Sequence, residues 1–213
     1  MYRIEQEELS NRVYKAIKQM ILDNELVSGE KLNQEKLAKK FGISRTPVLS
    51  AFSKLQQEML VEQIPRRGTY VKKLNKKEFQ DLYDIRMRLE PLGAAEAAKL
   101  HNNVEMRRLE EILDDFETLV SEGHSKGLRE KDYEFHMMVM EMSRNELLKK
   151  IISAFNLNIL SNLEGLLKEP SQSLDEHKEL VKAIKARNEA DAENAMYRHI
   201  YGSRQNIDSK HFS

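Results

Sequence analysis

Four residues with metal-ligand chemistry stand at spacings that a helical chain can bring together. In 128-LREKDYEFHMMVM-140, Asp132 precedes His136 by four residues, so a helix puts both on one face, close enough to share a cation. Further on, Asn188 breaks the stretch between 173-SLDEHKELVKAIKAR-187 and 190-ADAENAMYRHIYGS-203, with His177 11 residues before it and His199 11 residues after it. Equal distances from the turn of an antiparallel helical hairpin mean equal heights, so the two imidazoles can face each other. Three ring nitrogens and one carboxylate oxygen suit Zn²⁺ or Ni²⁺, with Fe²⁺ and Mn²⁺ as alternatives, and leave positions for water or an incoming carboxylate. Spacing alone also permits a plainer reading, in which Asp132 and His136 pair on a helix surface and the other histidines are packing residues. His101, His124 and His211 fall at a turn, a loop and the tail, and read as solvated side chains.

These ligands need helices to hold them. From Lys77 onward the pattern is helical, and breaks near residues 101–103, 121–127, 144–145, 169–173 and 187–188 divide it into about six helices: 77–100, 103–122, 128–142, 145–167, 173–187 and 190–203. Pro91 is expected to kink or divide the first of them. Short connections imply antiparallel neighbours, hence an all-α antiparallel bundle over residues 77–205, followed by a tail at 206–213.

Composition narrows the chemistry further. The chain has 213 residues and no cysteine, which removes disulfides, thiolate zinc sites and iron–sulfur clusters. No apolar run approaches 18 residues and Met1 is followed by Tyr, Arg and Glu, so neither a membrane span nor a signal peptide is expected, and a cytoplasmic location is. The net charge of zero is unevenly spread: residues 1–75 carry 14 Lys and Arg against 9 Asp and Glu, and the remainder carries 21 against 26. An electropositive first part suits an anionic polymer.

That first part, residues 1–73, reads as a winged helix-turn-helix, joined to the bundle by a linker at 74–76. Leu9, Val13, Ala16, Ile17, Met20 and Ile21 follow the helical period to about Asp23. A second helix spans roughly Gln34 to Phe41, and Gly42 supplies a tight corner. Then 43-ISRTPVLSAFSKLQQEM-59 opens a third helix, with Ser44 as an N-cap and Pro47 in the first turn, where its missing N–H costs no helix bond. Such a helix enters a major groove with its N-terminal end foremost, so Arg45 can fork onto guanine and Thr46 can reach a base edge or phosphate. Ser44 and the free amides suit a phosphate. Residues 60-LVEQI-64 and 69-TYVKK-73 read as strands around 65-PRRG-68, with Arg66 and Arg67 at the hairpin tip and Gly68 permitting the turn. Between Lys31 and Lys73 there are 10 basic and 3 acidic residues, which supports DNA or RNA contact, and the narrow major groove of duplex RNA, which does not admit such a helix, favours duplex DNA.

Residues 29-GEKLNQEKLAKKFGISRTPVLSAFSKLQQEMLVEQIPRRGTYV-71 resemble the winged helix of the GntR family of bacterial regulators. The resemblance implies that Arg45 and Thr46 approach the operator and that Gly68 lies at the wing tip. The chain departs from that family at Leu49-Ser50, where Arg-Glu is usual, and at Met59, where glycine is usual. The lost arginine removes one expected DNA contact. Residues 80–98, 132–148 and 176–200 resemble the FCD domain of the FadR-like branch, and the six-helix count resembles its VanR-type subgroup. This likeness implies a divalent metal on Asp132, His136, His177 and His199, with Arg86 helping to hold a carboxylate effector.

Together these readings describe a homodimeric transcriptional regulator, controlled by a small organic or sugar acid and bound to a palindromic operator, most simply as a repressor. Two other readings stay open on the residues alone: a metal-dependent hydrolase, since an open site can activate water, and a structural DNA-binding or interaction protein.

Overall fold

The apolar stripe of the N-terminal segment forms α1 (Ile4–Leu22) in the computed structural model, which describes residues 4–123, 127–154 and 168–207. The chain divides into two compact units, Met1–Lys73 and Leu74–Ser213. In the first, α1 is followed by β1 (Lys31–Leu32), α2 (Gln34–Phe41), α3 (Arg45–Gln57), β2 (Val61–Ile64) and β3 (Gly68–Val71). Val13, Ile17 and Ile21 of α1 are buried with Leu37, Val48, Phe52 and Leu55 of the two following helices. Asn33 caps α2 by accepting from the amides of Glu35 and Lys36, and Gly42 ends it in the left-handed conformation (φ 67°) that a residue without a Cβ adopts at little cost.

The wing has three strands, in the antiparallel order β1-β3-β2. The strand at Lys31–Leu32 was not foreseen: two residues are too few for alternation to show, and pairing with Thr69 and Tyr70 defines them. At the tip the amide of Arg67 donates to Ile64 O (3.0 Å), and Arg66 itself takes the left-handed conformation (φ 62°) beside Gly68 (φ 109°). Met59, standing where the resembled family carries glycine, also adopts a positive φ of 59°.

The second unit is a bundle of α4 (Lys76–Leu100), α5 (Asn103–Ser121), α6 (Leu128–Met142), α7 (Glu146–Ala154), α8 (Pro170–Lys185) and α9 (Glu189–Asn206). Leu74 is buried and Asn75 caps α4, so the segment expected as a linker leads directly into that helix. Asn75 with Glu78, and Asn102 with Glu105, form reciprocal capping boxes that satisfy free amides at the starts of α4 and α5. Pro91 is buried and does not divide α4, which is continuous through it. Of the expected helix 145–167, residues 155–167 lie outside those described. No helix of the described residues is long and apolar enough to cross a membrane.

Candidate functional site

α6 brings Asp132 and His136 to one face, as their spacing requires, and both are buried. The hairpin of α8 and α9 turns at Arg187 (φ 56°) and Asn188, whose side chain caps α9 on Asp191 N. Arg187 clamps that turn by donating to Lys99 O (2.9 Å) and His101 O (2.7 Å). His177 and His199 then stand side by side, with ring centroids 4.6 Å apart, and His136 lies 5.6 Å and 5.2 Å from them. One ligand atom from each of Asp132, His136, His177 and His199 lies within 4.8 Å of the other three.

Asp132 Oδ1 is 3.9 Å from His136 Nε2 and 3.7 Å from His177 Nε2. Four tetrahedral ligands at bond lengths of about 2.1 Å would be roughly 3.4 Å apart; the two Asp132 pairs exceed that by a few tenths of an ångström, and the set as a whole, spread over up to 4.8 Å, would draw together further around an ion. Among the described residues, His136 Nε2 and both nitrogens of His177 are buried without a hydrogen-bond partner. Buried polar nitrogens are ordinarily satisfied, and their convergence on a carboxylate fits a cation between them.

Each flanking histidine is backed by a carboxylate. His199 Nδ1 lies 2.7 Å from Glu176 Oε2. An ionised carboxylate only accepts, so Nδ1 carries the proton and Nε2 keeps its lone pair for the centre. Glu176 also accepts from the buried ammonium of Lys168, which in turn donates to His199 O. His136 Nδ1 lies 2.6 Å from Glu90 Oε2. Glu90 in turn holds Arg86, with Nε 2.5 Å from Oε1. Among the described residues no such carboxylate stands behind His177; it stacks on Phe135 (4.0 Å between ring centroids) and meets the edge of Phe116.

The electrostatics follow from burial. Burial pushes the His177 imidazole well below its usual range and His199 down to about 4, although the Glu176 carboxylate opposes the second shift. Both rings are therefore neutral near pH 7, the form that binds metals. Burial raises Glu90, but Arg86 and His136 outweigh it and hold the carboxyl at about 2.

Sequence reasoning had the four residues of the cluster but not Glu90, Glu176 or Lys168. Arg86 is not a surface group: it is 3% exposed and paired with Glu90 beside the cluster. His101, expected in solvent, is buried with Nε2 3.1 Å from Ile184 O, because α8 packs over the α4–α5 turn. His124 and His211 lie outside the described residues.

On the first unit, Ser44, Arg45, Thr46, Arg66 and Arg67 are all exposed and Gly68 is partly so. Ser44 occupies the N-cap position of α3 but its hydroxyl makes no cap bond, contrary to expectation; with the side chain in solvent, water can satisfy the amides. Arg45 pairs with Glu35 of α2 at 2.7 Å, both largely exposed. The backbone at Gly68, φ 109°, favours glycine, while a Cβ there would meet only the flexible Lys31 side chain, 3.3 Å from Cε.

Comparison with known proteins agrees with both units. Residues 9–71 match the gntR family of bacterial regulatory proteins, and residues 81–202 match the FCD domain. The HTH-type transcriptional regulator LutR of Bacillus subtilis is 29% identical over 206 residues, covering 85% of this chain and 93% of LutR. The gluconate operon transcriptional repressor of Bacillus licheniformis is 25% identical, covering 83% and 75%. The structure of Escherichia coli McbR/YncC shares the fold, with a TM-score of 0.83 at 19% identity over 94% of this chain and 97% of that one. These named relatives are transcriptional regulators rather than enzymes. The FCD match alone takes in more than half of the chain, and with the winged helix ahead of it the chain belongs to the gntR family, as a DNA-binding transcriptional regulator with an FCD domain.

Proposed function

We propose that this regulator is a homodimeric repressor of the VanR-type, FadR-like branch, released from a palindromic operator by a small organic or sugar acid recognised beside a divalent metal. The carrying observation is the buried convergence of Asp132, His136, His177 and His199, with Glu176 and Glu90 set behind two of the imidazoles. Those four residues would hold Zn²⁺ or Ni²⁺, with Fe²⁺ and Mn²⁺ as alternatives. Such an ion supplies a Lewis-acidic anchor for a carboxylate. Glu176 fixes the tautomer of His199, and Phe135 and Phe116 wall His177 from water. Arg86, beside the cluster and paired with Glu90, would offer guanidinium N–H donors to the effector carboxylate, its charge being balanced by Glu90. Support for a sugar acid comes from the Bacillus licheniformis relative, whose name refers to a gluconate operon.

In this reading residues 1–73 bind DNA, 74–76 link, 77–205 sense and dimerise, and 206–213 form a tail. Ser44, Arg45 and Thr46 meet the major groove, while Arg66, Arg67 and Gly68 bring the wing to the backbone or minor groove. A two-fold dimer presents two such helices, and the effector shifts the population of arrangements able to reach both half-sites. Elemental analysis of protein purified without an affinity tag should find about one divalent metal per chain, and none in the His177→Ala/His199→Ala variant. Full metal content in that variant would defeat the centre. Operator affinity unchanged across a panel of organic and sugar acids would defeat the effector reading.

A further inference from the structure

Helix α3 buries Pro47, Val48, Ala51, Phe52 and Leu55, and its other side exposes Arg45, Thr46, Leu49 and Ser53. Nothing in the core calls for a leucine at position 49, which is 49% exposed. At about 100° per residue Leu49 projects between the two groups that open the helix, roughly 40° from Arg45 and 60° from Thr46, and about 6 Å along the axis from Arg45. Ser53, one turn further on, has its hydroxyl folded back to donate to Leu49 O at 3.2 Å. The middle of the outward face is therefore hydrocarbon.

Leucine can neither donate nor accept, so beside most base edges it would strip water from polar groups and return nothing. Thymine alone presents a methyl group in the major groove. We infer that Leu49 is a specificity-determining residue of the operator contact, packing on the C5-methyl of a thymine within about two base steps of the base that Arg45 reaches. The inference rests on α3 being the recognition helix and is independent of the metal and the effector. Burying one methyl group corresponds to about a fourfold change in affinity.

The test begins by enriching an operator for the full-length protein from a random duplex library. An Arg45→Ala variant then locates the base read by that arginine. Each thymine of the half-site is next replaced by deoxyuridine, which keeps every hydrogen-bonding group and lacks only the methyl. At one thymine within two steps of the Arg45 base, the parent should bind the uracil duplex about fourfold more weakly. The Leu49→Ala variant, altered only at an exposed position, should bind both duplexes equally. No such thymine, or the same loss in Leu49→Ala, would overturn the inference. Failure to enrich any sequence would instead remove sequence-specific recognition altogether, and this contact with it.

Discussion

Replacing Glu176 by glutamine isolates the contribution of a carboxylate that stands behind one imidazole of the proposed metal centre. In the parent, His199 Nδ1 donates to an anionic oxygen 2.7 Å away. Glutamine retains a carbonyl oxygen at that place, so the ring keeps an acceptor and only the charge is lost. A hydrogen bond to a charged group contributes about 1.5–3 kcal/mol and a neutral one about 0.5–1.5, so the change removes roughly 1–1.5 kcal/mol. That is about tenfold in metal affinity, the lower end of the 10–100-fold effect of such outer partners. Lys168, whose ammonium is buried, also loses its anion and keeps only the neutral glutamine and His199 O as acceptors, so the fold is destabilised too, by up to about 3 kcal/mol. Competition for Zn²⁺ against a chromophoric chelator at pH 7.5 measures the affinity, and denaturant unfolding of the metal-free protein measures the fold. Glu179→Gln is the control, since Glu179 pairs in the open with Arg198 at 3.4 Å. Glu176→Gln binding Zn²⁺ as tightly as the parent, or no more weakly than Glu179→Gln, would refute the reasoning.

Three further outcomes are expected. Metal-free protein should lose stability in mild acid: unfolded His199 takes its proton near 6.5 and the folded ring, driven down by burial, only at about 4, so up to about 3 kcal/mol disappears as pH falls through that window. Urea unfolding at pH 7.5, 6 and 5 reads this directly, and an unchanged midpoint would contradict the burial. Arg86→Met leaves Glu90 fully buried without its cation and should cost about 3–5 kcal/mol, most of which Arg86→Met/Glu90→Leu restores; a single variant as stable as the parent would dismiss the pair's importance. Glu35→Gln frees Arg45 from an exposed pair worth at most about 1 kcal/mol, so operator binding should tighten by up to roughly fivefold, whereas Arg45→Ala should weaken it by about 1–3 kcal/mol and relax base preference. Gel-shift titrations decide both, and equal affinities for all three proteins would argue against Arg45 as a base contact.

Much of the first unit is legible because its signals are local. The stretch Gln34–Phe41, the glycine corner at Gly42 and the proline in the first turn of α3 each act within one or two helical turns, and each stands where expected. The cap at Ser44 failed the same test, since an N-cap residue type does not by itself place its hydroxyl on an amide. In the bundle, Asp132 and His136 were joined by helix periodicity, and His177 and His199 by symmetry about Asn188, both properties of chain spacing. Glu90 and Glu176 carried no comparable mark among 35 acidic residues. Whether an acid lies behind an imidazole depends on how α4 crosses α6 and how α8 lies along α9, as does the burial of His101 beneath α8. The sequence by itself determined which four side chains could meet; tertiary packing decided that they meet away from water, with the His177 and His199 rings kept neutral by burial and with carboxylates behind two of the imidazoles, because burial and the angles between helices are collective properties that no single segment encodes.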